Sequence, residues 1–580
     1  MTDDTIDECN EIIERADYIE DSELEKKTVH DNEYFQSIHS ALLDKGTVLL
    51  QGPRGSGKTH LMKYTWLLCK ENEKYPLCLY VTFNKYFFLE PLLKVKPNAI
   101  ALFNTWCLTK ILISTYELII KLLEDKKEEE ALPNDYLYFS FSKKELEDII
   151  IRLEQGLSPT NEQEKITTKI SVSSITNYIE QITKKVGRKR TIILLDDAAM
   201  SLTPEYLYEF FDIVRTLKTP RISLKASVYP GTTEYGPKFH VAHEAKVISA
   251  WLDIQNPQYS TIFDDIAKLR FEKLNQIDRK IVELLKYASF GIPRSFLIML
   301  REFSSSNNNN TNQQRFNHTI NLFCNVRVSE YLSLRNKMPR LENIIKYGQM
   351  LFDKIITKTK EANTKDKKAN TKQVIFGIEE YGNLLADRMI ELLIEVGLLF
   401  PIGSISHGKN KDGSNRTYKR YIPHYAFLLN VKAFSENSRG FRPNQILQYI
   451  NRNNTKHPVR ANLKNLLGKE VYTNLHLNLP ACTKCGTPRN NDIQKFCGNC
   501  GSQLIDGSVF NKCMEIPLHD IPSLTNWQKT KIQELKIMNV GEFITLPDPG
   551  SELRKIRRIG RIRAEKIIKK VSLHIDEYLS

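Results

Sequence analysis

The stretch "LLQGPRGSGKTH", residues 49–60, does most to limit what this chain can fold into. Gly52, Gly57, Lys58 and Thr59 stand at the spacing G-x-x-x-x-G-K-[ST], with an apolar run before them and "THLMKYTWLLCK" after. Strand, glycine-rich turn and helix in that order make a phosphate cradle. The glycines let backbone N–H groups close on phosphate oxygens, and the helix N-terminus adds partial positive charge. Gly52, Pro53, Arg54, Gly55, Ser56, Gly57 and Lys58 are therefore candidates to bind ATP, with Lys58 reaching its β- and γ-phosphates. The Thr59 hydroxyl is the candidate ligand for Mg2+.

A phosphate loop of this kind needs a parallel sheet behind it, and the first 260 residues alternate short apolar runs with long amphipathic stretches. Five runs read as strands: 46–51, 76–83, 191–197, 221–229 and 245–252. Between the second and third lies a mostly helical insertion, about 84–190, with an acidic patch "EDKKEEE" that reads as a solvated face. The third run, "TIILLDD", ends on Asp196 and Asp197, where many ATP-hydrolysing machines have Asp-Glu. Asp196 would stand beside the Thr59-bound magnesium, and Asp197 where a general base is needed. Its side chain is one methylene shorter than Glu, so either slow hydrolysis or a largely structural nucleotide is expected.

The chain is 580 residues long, enough for three to five domains, and its charge of 83 minus 69, or +14, suits a polyanionic partner. No run approaches the roughly 20 apolar residues of a membrane span, and the acidic start "MTDDTIDECNE" is no secretory signal. Four of the ten cysteines form two close pairs, which reads as metal binding in a reducing compartment, hence the cytoplasm or a nucleus. Two tracts, "SSSNNNNTNQQ" at 304–314 and "KTKEANTKDKKANTK" at 358–372, read as a loop or linker and as a frayed helix end or solvated loop. No nuclease, protease or helicase signature is visible.

"YASFGIPRSFLIML", 287–300, resembles the second-sensor segment of AAA+ ATPases related to archaeal and eukaryotic origin-recognition proteins. The resemblance covers roughly residues 30–430. It implies an α/β P-loop core with a helical lid that directs Arg294 at the γ-phosphate. It also implies a first sensor near the end of the fourth strand, with Ser227 the candidate and Tyr229 the reserve. Arg215 and Arg221 are available as an arginine finger or are surface charges. After the lid such proteins often carry a winged helix. A helix at 384–396, a short strand, a Gly/Asn/Lys-rich hairpin and a second strand fit one. Lys409, Lys411, Arg416, Lys419 and Arg420 would lie on or beside its wing, at the phosphates of duplex DNA. Asp-Asp at 196–197 is also common among signal-transduction ATPases of the nucleotide-switch type.

"CTKCGTPRNNDIQKFCGNCG" places Cys482, Cys485, Cys497 and Cys500 as C-x2-C-x11-C-x2-C. Four thiolates with no open position make a structural Zn2+ site, and the unit looks like a zinc ribbon. The last 60 residues look like a helix-hairpin-helix module. Arg558, Gly560, Arg561 and Arg563 are its candidate phosphate contacts, with Arg558 where that family has glycine.

The expected divisions are a helical segment 1–45, the core 46–260, the lid 261–303, linker and winged helix 304–475, zinc ribbon 476–515 and hairpin module 516–580. The expected function is an ATP-dependent DNA-binding switch in which the ATP site sets DNA affinity or self-assembly into a homo-oligomer, with phage defence or a mobile element as its setting by fold analogy. A sensor and scaffold that recruits an effector protein is the alternative, and a replication loader a weaker one.

Overall fold

The structure is a computed structural model. It describes residues 19–579 apart from 84–88, 90–92, 94–96, 125–132, 198–203, 307–309, 366–371, 380–381, 410–412, 414, 435–442, 451–458, 480, 483, 490–493, 495, 503, 505–512, 545 and 547–548. Lys411 and most of the acidic patch of the insertion lie outside the described residues.

The five predicted strands are β1 (Thr47–Gln51), β2 (Leu77–Thr82), β3 (Thr191–Asp196), β4 (Ile222–Val228) and β5 (Ala245–Ser249). They pair in parallel in the order β2-β3-β4-β1-β5. Every residue of β3 and β4 is buried, as continuous apolar runs require when helices cover both faces. The glycine loop leaves β1 from inside the sheet and enters α1 (Lys58–Glu71).

The insertion is helical. α2 (Ala99–Glu124) lies along β2, with Lys110 and Ser114 donating to the carbonyls of Thr82 and Tyr80. α3 (Lys143–Glu154) and α4 (Val172–Lys185) each begin with a serine capping box.

Three further helices, α5 (Tyr259–Arg270), α6 (Arg279–Ala288) and α7 (Pro293–Ser305), form the lid. α8 (Asn312–Lys337) and α9 (Glu342–Lys365) follow, then β6 (Phe376–Glu379), α10 (Leu384–Glu395), β7 (Leu399–Lys409) and β8 (Asn415–Pro423). β7 and β8 form the antiparallel wing of a sheet ordered β7-β8-β6-β9, with β9 at Val459–Ala461. Lid and winged helix share one apolar core running from Trp251 to Leu475. The sheet and its insertion form another, and the buried side chains of the C-terminal module are continuous with it. Among the described residues no helix is long and apolar enough to cross a membrane.

Two expectations need correction. The tract at 304–314 is not all linker: Thr311 accepts from Gln314 N in a capping box and starts α8 at Asn312. The tract at 358–372, of which 366–371 lie outside the described residues, is not wholly solvated. Thr359 and Asn363 are fully buried on α9, and Asn363 hydrogen-bonds both backbone groups of Gln373. The buried ammonium of Lys372 donates to the Asn363 carbonyl. Composition hid this because two buried amide bonds outweigh a polar neighbourhood. Asn363→Ala is expected to cost about 2 kcal/mol, the scale of losing buried bonds to backbone groups. Chemical denaturation checks it, with the change Thr364→Ala at the exposed neighbouring position as the comparison.

Candidate nucleotide and magnesium site

Gly55 and Gly57 have φ of +81° and +94°, conformations that L side chains rarely adopt. They turn the loop so that α1 begins at Lys58. The Lys58 ammonium is almost enclosed and donates to the carbonyls of Gly52 at 2.7 Å and Pro53 at 3.3 Å. The face of Tyr229 covers it, with the ring centroid 3.8 Å away. Burial pushes its pKa down to about 7, opposed by the charges of Asp197, Asp196 and Glu395.

Asp196 is 1% exposed at the end of β3. One carboxylate oxygen accepts from the Tyr80 hydroxyl at 2.9 Å and the other from Asp197 N at 3.1 Å. Asp197 N also donates to the buried Ser227 hydroxyl at 3.0 Å. The structure thus brings Ser227, Asp196 and Asp197 together, with Ser227 on the backbone of Asp197. Asp197 has φ +55°. That left-handed position suits Asp better than Glu, since short polar side chains tolerate it best. The backbone turn gives a physical reason for Asp-Asp at this strand end.

The lid meets the loop where the sequence places it. Arg294 N donates to Gly55 O at 3.4 Å, and a side chain on Gly55 would lie 3.0 Å from Arg294 Cβ. Gly291 lets the lid approach: a Cβ there would stand 2.2 Å from the Leu252 carbonyl. Arg215 is paired with Asp212 at 2.7 Å within its own helix, and Arg221 lies exposed just before β4.

Three contributors escaped the sequence reading, and none lies in a motif. His60, next to Thr59, accepts from Arg270 of the lid at 3.3 Å through Nδ1. Its Nε2 donates to Thr28 at 2.7 Å. Burial and Arg270 push its pKa down to about 3, so the ring stays neutral. Glu395, 1% exposed at the end of α10, accepts from Gly231 N at 2.9 Å, Thr232 N at 2.7 Å and the Thr232 hydroxyl at 3.1 Å. Gly231 is needed there, because its Cβ would lie 2.8 Å from the backbone of Leu392. Tyr80 is the third. The signal that could have found them is weak: a buried charge or phenol is visible only once strands and helices are placed.

The sulfurs of Cys482, Cys485, Cys497 and Cys500 all lie within 4.8 Å of one another. Both knuckles close alike, with Gly486 N on Cys482 O at 2.8 Å and Gly501 N on Cys497 O at 3.0 Å. Gly486 and Gly501 have positive φ, whereas Gly498 does not, so only two of the three trailing glycines are required by conformation. Zinc–sulfur bonds of about 2.3 Å fit such a cluster.

The wing cations sit on its stem. Arg416 faces Glu379 at 3.7 Å, Lys419 pairs with Asp387 of α10 at 2.6 Å, and Arg420 donates to Ile402 O at 3.2 Å. The Lys409 side chain is exposed at the end of β7. α10 itself is largely buried and tied to the core through Arg388 and Glu234 at 3.1 Å.

In the C-terminal module two hairpins follow each other, and they differ. At the first, Met538 N donates to Glu542 at 2.7 Å and Glu542 N to Asn539 at 2.9 Å, so the turn is closed by an acid of its own. The second leads through Gly560 into α11 (Arg561–Leu579), with Arg561 largely exposed and Arg563 over the Trp527 ring at 5.2 Å. Arg558 has φ +76°, the conformation glycine would favour.

Because Lys58 is half-neutral near pH 7 in the free protein and must be an ammonium beside phosphate, ATP binding is expected to take up a proton. Uptake is near zero well below pH 7 and approaches one per site well above it. Calorimetry in buffers of different ionisation enthalpy measures it, and Lys58→Arg should abolish it.

No family model matches the chain, and no curated protein matches it. Several solved structures are similar to it, two of them as follows. A Walker-type ATPase of Pyrococcus abyssi is 13% identical, with 70% of this chain and 96% of that one covered, at a TM-score of 0.35. The ORC2 protein of Aeropyrum pernix, in ADPNP and ADP complexes, is 12% identical, with 72% and 92% covered, at a TM-score of 0.26. By its own strand order, glycine loop and lid helices, the chain has a P-loop α/β core with a helical lid.

Proposed function

We propose that the chain is an ATP-dependent DNA-binding switch. ATP and magnesium bind at the glycine loop, Asp196 and Thr59, and Arg294 senses the γ-phosphate. Asp197 supports slow hydrolysis, and occupancy of the site sets how the winged helix is held. The observation that carries this reading is Glu395. The end of α10 is buried in the amides of Gly231 and Thr232, just beyond the strand that ends at Val228. A shift of that loop on nucleotide binding would be felt directly by the winged helix. Duplex DNA is the proposed partner, held by its backbone through the wing and the Arg558–Arg563 hairpin. Four closely grouped thiols suit Zn2+ and a reducing cytoplasm. Phage defence or a mobile element is a setting such a switch would suit.

The burial of α10 and the self-closed first hairpin favour a second reading, in which the C-terminal modules dock an effector protein rather than DNA. ATP turnover with and without duplex DNA separates the two. On the first reading DNA stimulates turnover, Asp197→Ala loses it, and Glu395→Ala raises DNA affinity without nucleotide. Tight ATP binding with no turnover and no DNA response in any form would sink the first reading.

Arg558→Gly is expected to raise stability by about 1 kcal/mol, because the left-handed backbone there costs a non-glycine residue that much. The same change is expected to weaken DNA binding and lower its salt slope by about one. Thermal denaturation and salt-dependent anisotropy read the two effects apart.

A further inference from the structure

We infer that Tyr80 is a positioning residue for the magnesium site, acting through Asp196. This rests on the ATP–magnesium reading of the glycine loop. Tyr80 lies on β2, where Thr82 stands opposite Asp196 in register, and its hydroxyl reaches across to Asp196 at 2.9 Å. Asp196 is 1% exposed, so water has little access to replace that donor. The phenol on one carboxylate oxygen and the Asp197 amide on the other fix the plane of the carboxylate. A carboxylate has about four acceptor positions, so lone pairs remain for a metal and its waters.

The backbone that carries the phenol is itself anchored. Ser114 of α2 donates to the Tyr80 carbonyl at 2.7 Å. Tyr80 lines a cavity of about 480 Å³ between β2 and the helices α2 and α3, with Lys110, Glu117, Glu147 and Glu154 around it. The helical insertion therefore reaches the acid at the end of β3 by a chain of two hydrogen bonds: Ser114 to the Tyr80 backbone, Tyr80 to Asp196. A Mg2+ ion demands near-ideal oxygen placement, so a carboxylate free to rotate holds it less well. Second-layer donors of this kind typically change metal affinity by about 10–100-fold.

The test is a titration of the full-length chain with a fluorescent ATP analogue, in EDTA and at graded Mg2+. For Tyr80→Phe, affinity in EDTA is expected within about twofold of wild type, while the Mg2+ concentration for half-saturation rises about tenfold. Ser114→Ala is expected to shift half-saturation the same way by a smaller factor, and serves if Tyr80→Phe does not fold. Half-saturation unchanged in the folded variants overturns the inference, as does an equal loss in EDTA and in Mg2+, which marks a packing role. A wild-type chain that binds the analogue but gains nothing from Mg2+ overturns the inference while leaving nucleotide binding intact. No binding at all overturns the reading of the loop, and Tyr80 with it.

Discussion

A lysine ammonium sealed against the end of a sheet is the constraint around which the rest of the molecule is arranged. Lys58 has two carbonyls, one aromatic face and little water, so its charge is poorly compensated and its pKa falls to about 7. Burial of an ion is costly unless hydrogen bonds and opposite charge offset it. Three carboxylates do this at longer range, and they come from different parts of the chain: Asp196 and Asp197 from the end of β3, Glu395 from α10. An incoming triphosphate would bring several negative charges to the same ammonium. The site is thus electrostatically prepared for phosphate, and the groups that now balance Lys58 would feel its arrival.

That balance links two cores that are otherwise separate. The sheet packs with its insertion, and the lid packs with the winged helix. They meet at close contacts, Gly55 against Arg294 and Gly231 against Leu392. Each contact needs the missing side chain of a glycine. Close-packed boundaries of this sort shift between discrete arrangements rather than deform smoothly. His60 adds a hydrogen-bonded tie from the glycine-loop helix to the lid and to Thr28. Burial keeps it neutral, so the tie is insensitive to pH across the physiological range.

Much of this was legible in the residues. The five strands fall within a residue or two of their predicted bounds, except that β5 ends at Ser249, because buried parallel strands are continuous apolar runs. The loop, the two-cysteine knuckles and the approach of Arg294 carry fixed spacings, and those too could be read directly. What stayed hidden depends on long-range partners. Glu395 looks like any acid at a helix end until Gly231 and Thr232 are placed against it. Asn363 sat in a tract whose composition argued for solvent, and only its bonds to the backbone of Gln373 reveal its buried role. Arg416 and Lys419 read as free wing charges, yet Glu379 and Asp387 face them.

The paired aspartates at the end of β3 join backbone geometry to the reach of an acid. Backbone at residue 197 is left-handed, with its amide shared between the Asp196 carboxylate and the Ser227 hydroxyl. A longer acid in that conformation would add steric cost without the local hydrogen bonding that makes Asp tolerable there. Replacing Asp197 by Glu therefore changes two things at once: it extends the reach of the carboxylate and strains the turn that orients it. A gain in hydrolysis would mean that reach was limiting. A loss would mean that the turn, tied to Ser227 and to the carboxylate that Tyr80 holds, sets the geometry. The short arm of Asp197 is then matched to a left-handed backbone that short polar side chains adopt most readily.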